Sequence, residues 1–347
     1  MRRAFVVPAA VIALGAFTFT FSAFAARPPE FSSADSVLRF VNEYRMRPEF
    51  NRVPEAYRTL SRVGALKDVD TGAVYLGFLA GIFAANSDKA EPLVRELLVT
   101  LPPEDKWLVI RAVAYSGLPD WKRILQKYAM YSPGRQVMIE KYISGKTPTL
   151  EKLAFDKKDP DWIDKVKIYL TGTPRDDGET KLEPTPDVID TYWGYFFATG
   201  AYEPIGRIIG MLRWSKEKNS VEKLTVGNMA KFTLASNASR DGDLLRMVKW
   251  AAVDQDPETK AVLAEVIDAA ENMDTVRLRK MAIAAIDDLK QKGPGYKQNI
   301  STIGQIGQAV IGLGCIAAAA AGQIEFGLPC VIGGAVSNAA IAAWTKQ

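Results

Sequence analysis

The absence of histidine limits the chemistry that this chain can perform. The 347-residue sequence contains no histidine, and imidazole is the commonest general base near neutral pH and the commonest zinc ligand. Hydrolases of the Ser-His-Asp or Cys-His type, histidine-ligated zinc and histidine-ligated haem are therefore excluded for this chain. Carboxylate, lysine or tyrosine chemistry remains.

One cluster of carboxylates could hold a calcium ion or supply the acid pair of a glycosidase. It consists of Asp156, Asp159, Asp161 and Asp164, with two lysines between them and two just after them. That pattern is typical of a solvated helix start, where an acidic side chain favours the helix dipole. We therefore assign no catalytic residue, no cofactor-binding residue and no metal ligand, and we expect no cofactor.

The two cysteines, Cys315 and Cys330, form the second candidate for chemistry. Their spacing is not that of a redox-active Cys-x-x-Cys pair. In an exported protein, oxidising conditions favour pairing, so we predict a disulfide, with two buried thiols as the alternative.

Four aromatic residues are candidates for contact with a partner: Tyr192, Trp193, Tyr195 and Trp214. Such side chains could line a groove that binds a peptide or a glycan. The alternative is core packing, because Trp193 shares one helical face with Phe196 and Phe197.

The first 25 residues predict export from the cytoplasm. Two arginines, an apolar run from Ala4 to Phe21 and small residues at Ala23 and Ala25 form the pattern of a signal peptide. We expect a periplasmic or otherwise exported chain, sent by the general secretory route. The formal net charge of +4 falls by two with the signal, and this near-neutral balance argues against a nucleic-acid partner.

The rest of the chain predicts an all-α fold. Between residues 33 and 292, apolar residues recur three and four positions apart with charges on the opposite face. Asp, Ser and Pro mark helix starts at 87–88, 102–105, 119–120, 159–161, 186–187, 241–243 and 256–258. Short gaps between the helices favour antiparallel hairpins.

A faint internal repeat indicates that such hairpins stack. The pair Tyr75-Leu76-Gly77-Phe78 and Glu91-Pro92-Leu93-Val94-Arg95 is echoed by Tyr192-Trp193-Gly194-Tyr195 and Glu203-Pro204-Ile205-Gly206-Arg207, with intervening lengths that differ by five. The architecture resembles an irregular α-solenoid of the tetratricopeptide or HEAT kind, without their consensus or a fixed period. The resemblance implies an extended binding surface and no particular activity.

Composition divides the chain into five segments. After the signal peptide (1–25) we expect an N-terminal helical half (26–171), a linker or long loop (172–187), a C-terminal helical half (188–292) and an apolar Gly/Ala-rich hairpin (296–347) tied by the disulfide. That hairpin could cap the solenoid, form a homo-oligomer, or contact a membrane through residues 298–345.

These observations favour a non-enzymatic, exported helical-repeat protein of the bacterial envelope that binds a protein or peptide partner. Two alternatives stay open. One is a membrane-associated protein that acts through the C-terminal hairpin, and the other is a helical enzyme that cleaves envelope glycans with a lone carboxylate.

Overall fold

The computed structural model describes residues 31–67, 69–153, 180–272, 280 and 284, and this part of the chain is all-α. It contains twelve α-helices and no strand, which confirms the all-α part of the predicted fold. The helices are α1 (Ala34–Tyr44), α2 (Val53–Arg62), α3 (Val69–Ala85), α4 (Ser87–Thr100), α5 (Lys106–Tyr115), α6 (Trp121–Tyr128), α7 (Gln136–Ile143), α8 (Pro186–Thr199), α9 (Tyr202–Gly210), α10 (Val221–Ala238), α11 (Gly242–Ala251) and α12 (Pro257–Glu271).

The helices begin where local sequence predicts. The predicted starts at 87–88, 102–105, 119–120, 186–187, 241–243 and 256–258 are each followed, or entered, by a helix. The carboxylate of Asp241 accepts hydrogen bonds from the first amides of α11, and that of Asp256 does the same for α12. Such caps satisfy amides that have no partner inside the helix. The start predicted at 159–161 lies outside the described residues.

Helices α3 and α8 form the centre of the molecule. Both are apolar around most of their circumference, and nearly all their described side chains are buried. Helix α3 packs against α4, α5 and α8, while α8 also packs against α1, α9 and α10. A helix that is apolar on all sides is stable only when other helices surround it, because any side that faced water would expose apolar surface.

Two glycines allow α3 and α8 to touch through their backbones. A Cβ atom added at Gly77 would overlap the carbonyl oxygen of Thr191, and one added at Gly194 would overlap the carbonyl oxygen of Val74. One turn further along α3, the same construction at Gly81 comes within 2.6 Å of the Ala198 Cβ, one turn further along α8. A step of one turn toward the C-terminus of α3 therefore matches a step in the same direction along α8, so the two helices run parallel.

Helices α3 and α8 are the first helices of two halves of the fold, and the two halves contain the same elements in the same order. Helices α3 to α7 correspond to α8 to α12, and in each half the fourth helix is followed directly by a 3-10 turn, at 129–131 and at 252–254. The first helix of each half contacts the second and third, the second contacts the third and fourth, and the third and fifth each contact the fourth. The echoed motifs around Gly77 and Gly194 therefore occupy equivalent positions and lie against each other.

Several predicted segments lie outside the described residues: the signal peptide, residues 172–179 of the predicted linker, and the C-terminal hairpin with Cys315 and Cys330. The remainder of the predicted linker is non-helical to Thr185, and α8 begins at Pro186. Within the described part of the chain, no helix is long and apolar enough to cross a membrane.

Candidate functional site

A cleft of about 420 Å³ opens where the α5–α6 loop of the first half meets α8 and α9 of the second half. We call it the tyrosine cleft, because three of its lining residues are tyrosines. Its charged residues are two glutamates and one arginine, and leucine, proline, alanine, serine and glycine complete the wall. The lining discussed below comprises Tyr115, Tyr192, Tyr195, Glu151, Glu203 and Arg207.

Helix α8 supplies two of the tyrosines from one face. The hydroxyl of Tyr192 donates a hydrogen bond of 2.8 Å to the carbonyl oxygen of Leu150, and that of Tyr195 donates one of 3.1 Å to the carbonyl oxygen of Ser116. These bonds tie α8 to segments of the other half and fix the orientation of both rings. The rings therefore present a rigid aromatic wall.

The Tyr195 hydroxyl stays protonated at neutral pH. Burial raises its pKa to about 12, and the nearby carboxylates of Glu203 and Glu151 contribute in the same direction. Both effects act by disfavouring the phenolate. Tyr195 is therefore a permanent donor to the α5–α6 loop.

The α5–α6 loop is itself held by its own backbone and side chains. Gly117 has a φ of +71°, in the left-handed region that favours glycine. The Ser116 hydroxyl donates to the Val113 carbonyl (2.7 Å) and accepts from the Leu118 amide (3.2 Å). The cleft edge that this loop forms is preorganised.

Behind the loop, Tyr115 belongs to a buried polar cluster. Its ring packs edge-on against Tyr142 at a centroid distance of 6.2 Å, and the Arg111 Nε donates to the Tyr142 hydroxyl at 3.0 Å. Burial, followed by the adjacent Tyr142, raises the pKa of Tyr115 well above its ordinary value. These contacts fix the position of the third tyrosine of the cleft.

The charges of the cleft are incompletely paired. Arg207 is 3% exposed, and its one ion-pair partner among the described residues is Glu203, with an Nη2 to Oε1 distance of 3.6 Å. The Glu203 side chain is 60% exposed. Glu151 lies across the cleft, where its Oε1 approaches the α5–α6 loop at Gly117.

The structure separates the four aromatic residues that the sequence proposed for partner contact. Tyr192 and Tyr195 line the tyrosine cleft, and Tyr192, at 4% exposed, is also part of the core. Trp193 and Trp214 are 1% and 3% exposed and belong to the core, where Trp193 stacks on Phe197. Sequence reasoning did not single out Tyr115, Glu151, Glu203 or Arg207 as site residues, although the repeat that it identified contains Glu203 and Arg207.

A second cleft of about 500 Å³ lies between α1 and the α10–α11 loop, the equivalent loop of the second half. Its lining includes Arg45, Arg246, Asp241 and Asp243. Arg45 pairs with Asp241, Arg246 pairs with Asp243, and Arg45 lies over the Phe196 ring at 5.1 Å from its centroid. Because these charges satisfy one another, we interpret this cleft as a joint between α1 and the second half.

The tyrosine cleft combines several kinds of side chain. It offers aromatic faces, apolar surface, one guanidinium and two carboxylates. Among the described residues no cluster of His, Cys, Asp and Glu could hold a metal ion, and the Asp156–Asp164 cluster lies outside them. Comparisons of this chain with protein-family models, with curated proteins and with solved structures find no match.

Proposed function

We propose that this chain is an exported, non-enzymatic binding protein that holds a peptide segment of a partner protein in the tyrosine cleft. The observation that carries the proposal is the cleft itself: about 420 Å³, lined by three oriented tyrosines and a buried arginine. Its volume falls within the range of about 300 to 1,000 Å³ that is usual for ligand sites. The half-buried ring of Tyr195, fixed by its hydrogen bond to Ser116, offers contact area at low entropic cost.

The position of the cleft supports a peptide as its occupant. The lining comes from the end of α3, the α5–α6 loop, the segment at Leu150 and the start of α9, so the cleft spans the junction of the two halves. An extended segment could contact several of these elements at once. The proposed assembly of helical hairpins into an irregular solenoid, continued by the predicted C-terminal hairpin, would lengthen this surface.

The proposed location is the bacterial envelope, on the strength of the N-terminal 25 residues. Expression of the full chain in a bacterium, followed by periplasmic extraction and N-terminal sequencing, tests this. The expected mature start is Ala26 or Arg27. A full-length chain retained in the cytoplasm would overturn the proposed location.

A cleft-filling variant tests the proposed function. Ser87 lines the cleft and is exposed at the start of α4, so Ser87→Trp places an indole in the opening without disturbing the core. The matched control is Val99→Trp on the same helix, at a position that is 58% exposed and does not line the cleft.

The assay is selection of random decapeptides displayed on phage against each purified full-length protein. We expect the wild type and Val99→Trp to enrich the same motif and Ser87→Trp to lose it, with unchanged thermal unfolding in all three. Failure of the wild type to enrich any motif, or retention of the motif by Ser87→Trp, would contradict peptide binding in this cleft.

A further inference from the structure

The guanidinium of Arg207 is the most buried charged group of the tyrosine cleft, and its one ion pair is long. It carries five N–H donors, and the side chain is 3% exposed. Among the residues described, none accepts a hydrogen bond from it, and the Glu203 carboxylate stands at 3.6 Å. None of its nitrogens is both fully buried and unpaired, so the guanidinium faces the cleft, where an anionic group can take the place of water.

The geometry of Glu203 explains why it is an incomplete partner. It precedes Arg207 by one helical turn on α9, and its side chain is largely exposed to solvent. Such an i,i+4 pair contributes little where water competes for the carboxylate. Glu203 can therefore yield its place to another anion at small cost.

We propose that the tyrosine cleft recognises a carboxylate of the bound peptide, which pairs with Arg207 in place of Glu203. A guanidinium fork matches a carboxylate in two parallel hydrogen bonds, shorter and stronger than the present contact. This inference rests on the proposed function, because it names the chemical group of the peptide that the cleft selects.

The other polar groups of the cleft fit this assignment. The hydroxyls of Tyr192 and Tyr195 are committed to backbone carbonyl oxygens, and Arg207 is the cation of the lining. Glu151 and Glu203 would repel a carboxylate ligand, so each of them lowers its affinity. Removal of either charge should strengthen binding, whereas a cationic ligand would bind more weakly after the same change.

The experiment uses two phage libraries of random decapeptides, one with free carboxyl termini and one fused through the carboxyl end. Enriched sequences are synthesised as free acids and as amides, and their Kd values are measured by fluorescence anisotropy with the full chain. The variants are Arg207→Lys, Glu203→Gln and Glu151→Gln. The matched control is Arg95→Lys, at the equivalent position of α4, which is exposed and outside the cleft.

We expect the enriched peptides to carry a carboxylate at one fixed position. A terminal carboxylate is indicated if amidation weakens binding about 10-fold or more, and an Asp or Glu side chain if the fused library enriches the same motif. Arg207→Lys should weaken binding about 10-fold, because lysine keeps the charge and loses the fork. Glu203→Gln and Glu151→Gln should tighten it, and Arg95→Lys should leave it unchanged.

Three outcomes would overturn the inference while leaving peptide binding intact: enrichment of a basic or uncharged motif, weaker binding after Glu203→Gln or Glu151→Gln, or unchanged affinity after Arg207→Lys. Absence of any enriched peptide would instead contradict the proposed function. Thermal unfolding of each variant, with Arg95→Lys as reference, shows whether a loss of binding reflects loss of the fold.

Discussion

The backbone contact between α3 and α8 predicts that one added methyl group at Gly77 destabilises the fold. In the structure, the nearest atom to a Cβ built at Gly77 is the Thr191 carbonyl oxygen, at 1.8 Å, and ordinary contact begins at 3.4 Å. The two helices would therefore have to separate by about 1.6 Å, enough to forfeit about half or more of the dispersion attraction across the gap. Backbone atoms cannot rotate away as a flexible side chain can.

The expected size follows from two opposing effects. Overpacking of this kind costs at least about 3 kcal/mol, the upper end of the usual range, and Ala gains about 1 kcal/mol over Gly in a helix interior. Gly77→Ala should therefore lower the free energy of unfolding by at least about 2 kcal/mol. The matched control is Gly72→Ala on the same helix, where the new Cβ would lie 3.4 Å from the Trp107 ring, so that variant should be neutral or more stable by up to about 1 kcal/mol.

Urea titrations followed by circular dichroism at 222 nm measure both variants and the double variant Gly77→Ala/Gly194→Ala. Since either methyl group pushes the same two helices apart, the double variant should lose less than the sum of the two single losses, by at least about 0.5 kcal/mol. Equal stabilities of Gly77→Ala and Gly72→Ala, or strictly additive losses, would refute the parallel crossing of α3 and α8.

Two further predictions concern single residues. Hydrogen bonds from Lys127 and then Arg123 lower the pKa of Glu91 from 4.5 to about 2, so the stabilisation that they give is complete above pH about 4.5 and is lost as the pH falls toward 2. Because these side chains are partly exposed, Glu91→Gln should lower the free energy of unfolding by less than about 1 kcal/mol at pH 7 in urea titrations. A loss of stability that persists at pH 2 would contradict the assignment. Gly200 ends α8 at a φ of +66°, and a Cβ there would lie 2.9 Å from the Arg45 Cδ; Gly200→Ala should lower the free energy of unfolding by about 1 to 2 kcal/mol, and an unchanged urea midpoint would show that this helix end adopts another conformation.

The sequence predicts helix boundaries well because their causes are local. Asp241 and Asp256 cap the helices that follow them through contacts two and three residues away, and no distant part of the chain is needed to explain them. The parallel crossing has no local cause. Gly77 and Gly194 are more than a hundred positions apart, and neither identifies the backbone carbonyl that it faces.

The candidate site was harder to predict, because periodicity cannot choose a face when the whole helix is apolar. On α8, Tyr192 and Tyr195 line the cleft and Trp193 does not, although Tyr192 is nearly as buried as Trp193. The sequence places all three in one aromatic run. Arg207 was missed for a related reason. An arginine in an amphipathic pattern is expected on the solvated face, whereas α9 is buried continuously from Pro204 to its end.

The correspondence between the two halves gives a physical reason to place the site at α9. Glu91 on α4 and Glu203 on α9 are equivalent, but Glu91 has three partners, the side chains of Lys127, Arg123 and Tyr128, on the neighbouring helix α6. Glu203 has one partner, Arg207, at 3.6 Å. Equivalent positions of the two halves thus hold one glutamate with three hydrogen-bond partners and, beside the cleft, one glutamate with a single long ion pair. The Arg207 side chain is 3% exposed, and none of its nitrogens is both fully buried and unpaired, so the proposed carboxylate would complete its pairing inside the cleft. Its counterpart in α4, Arg95, is exposed to bulk water.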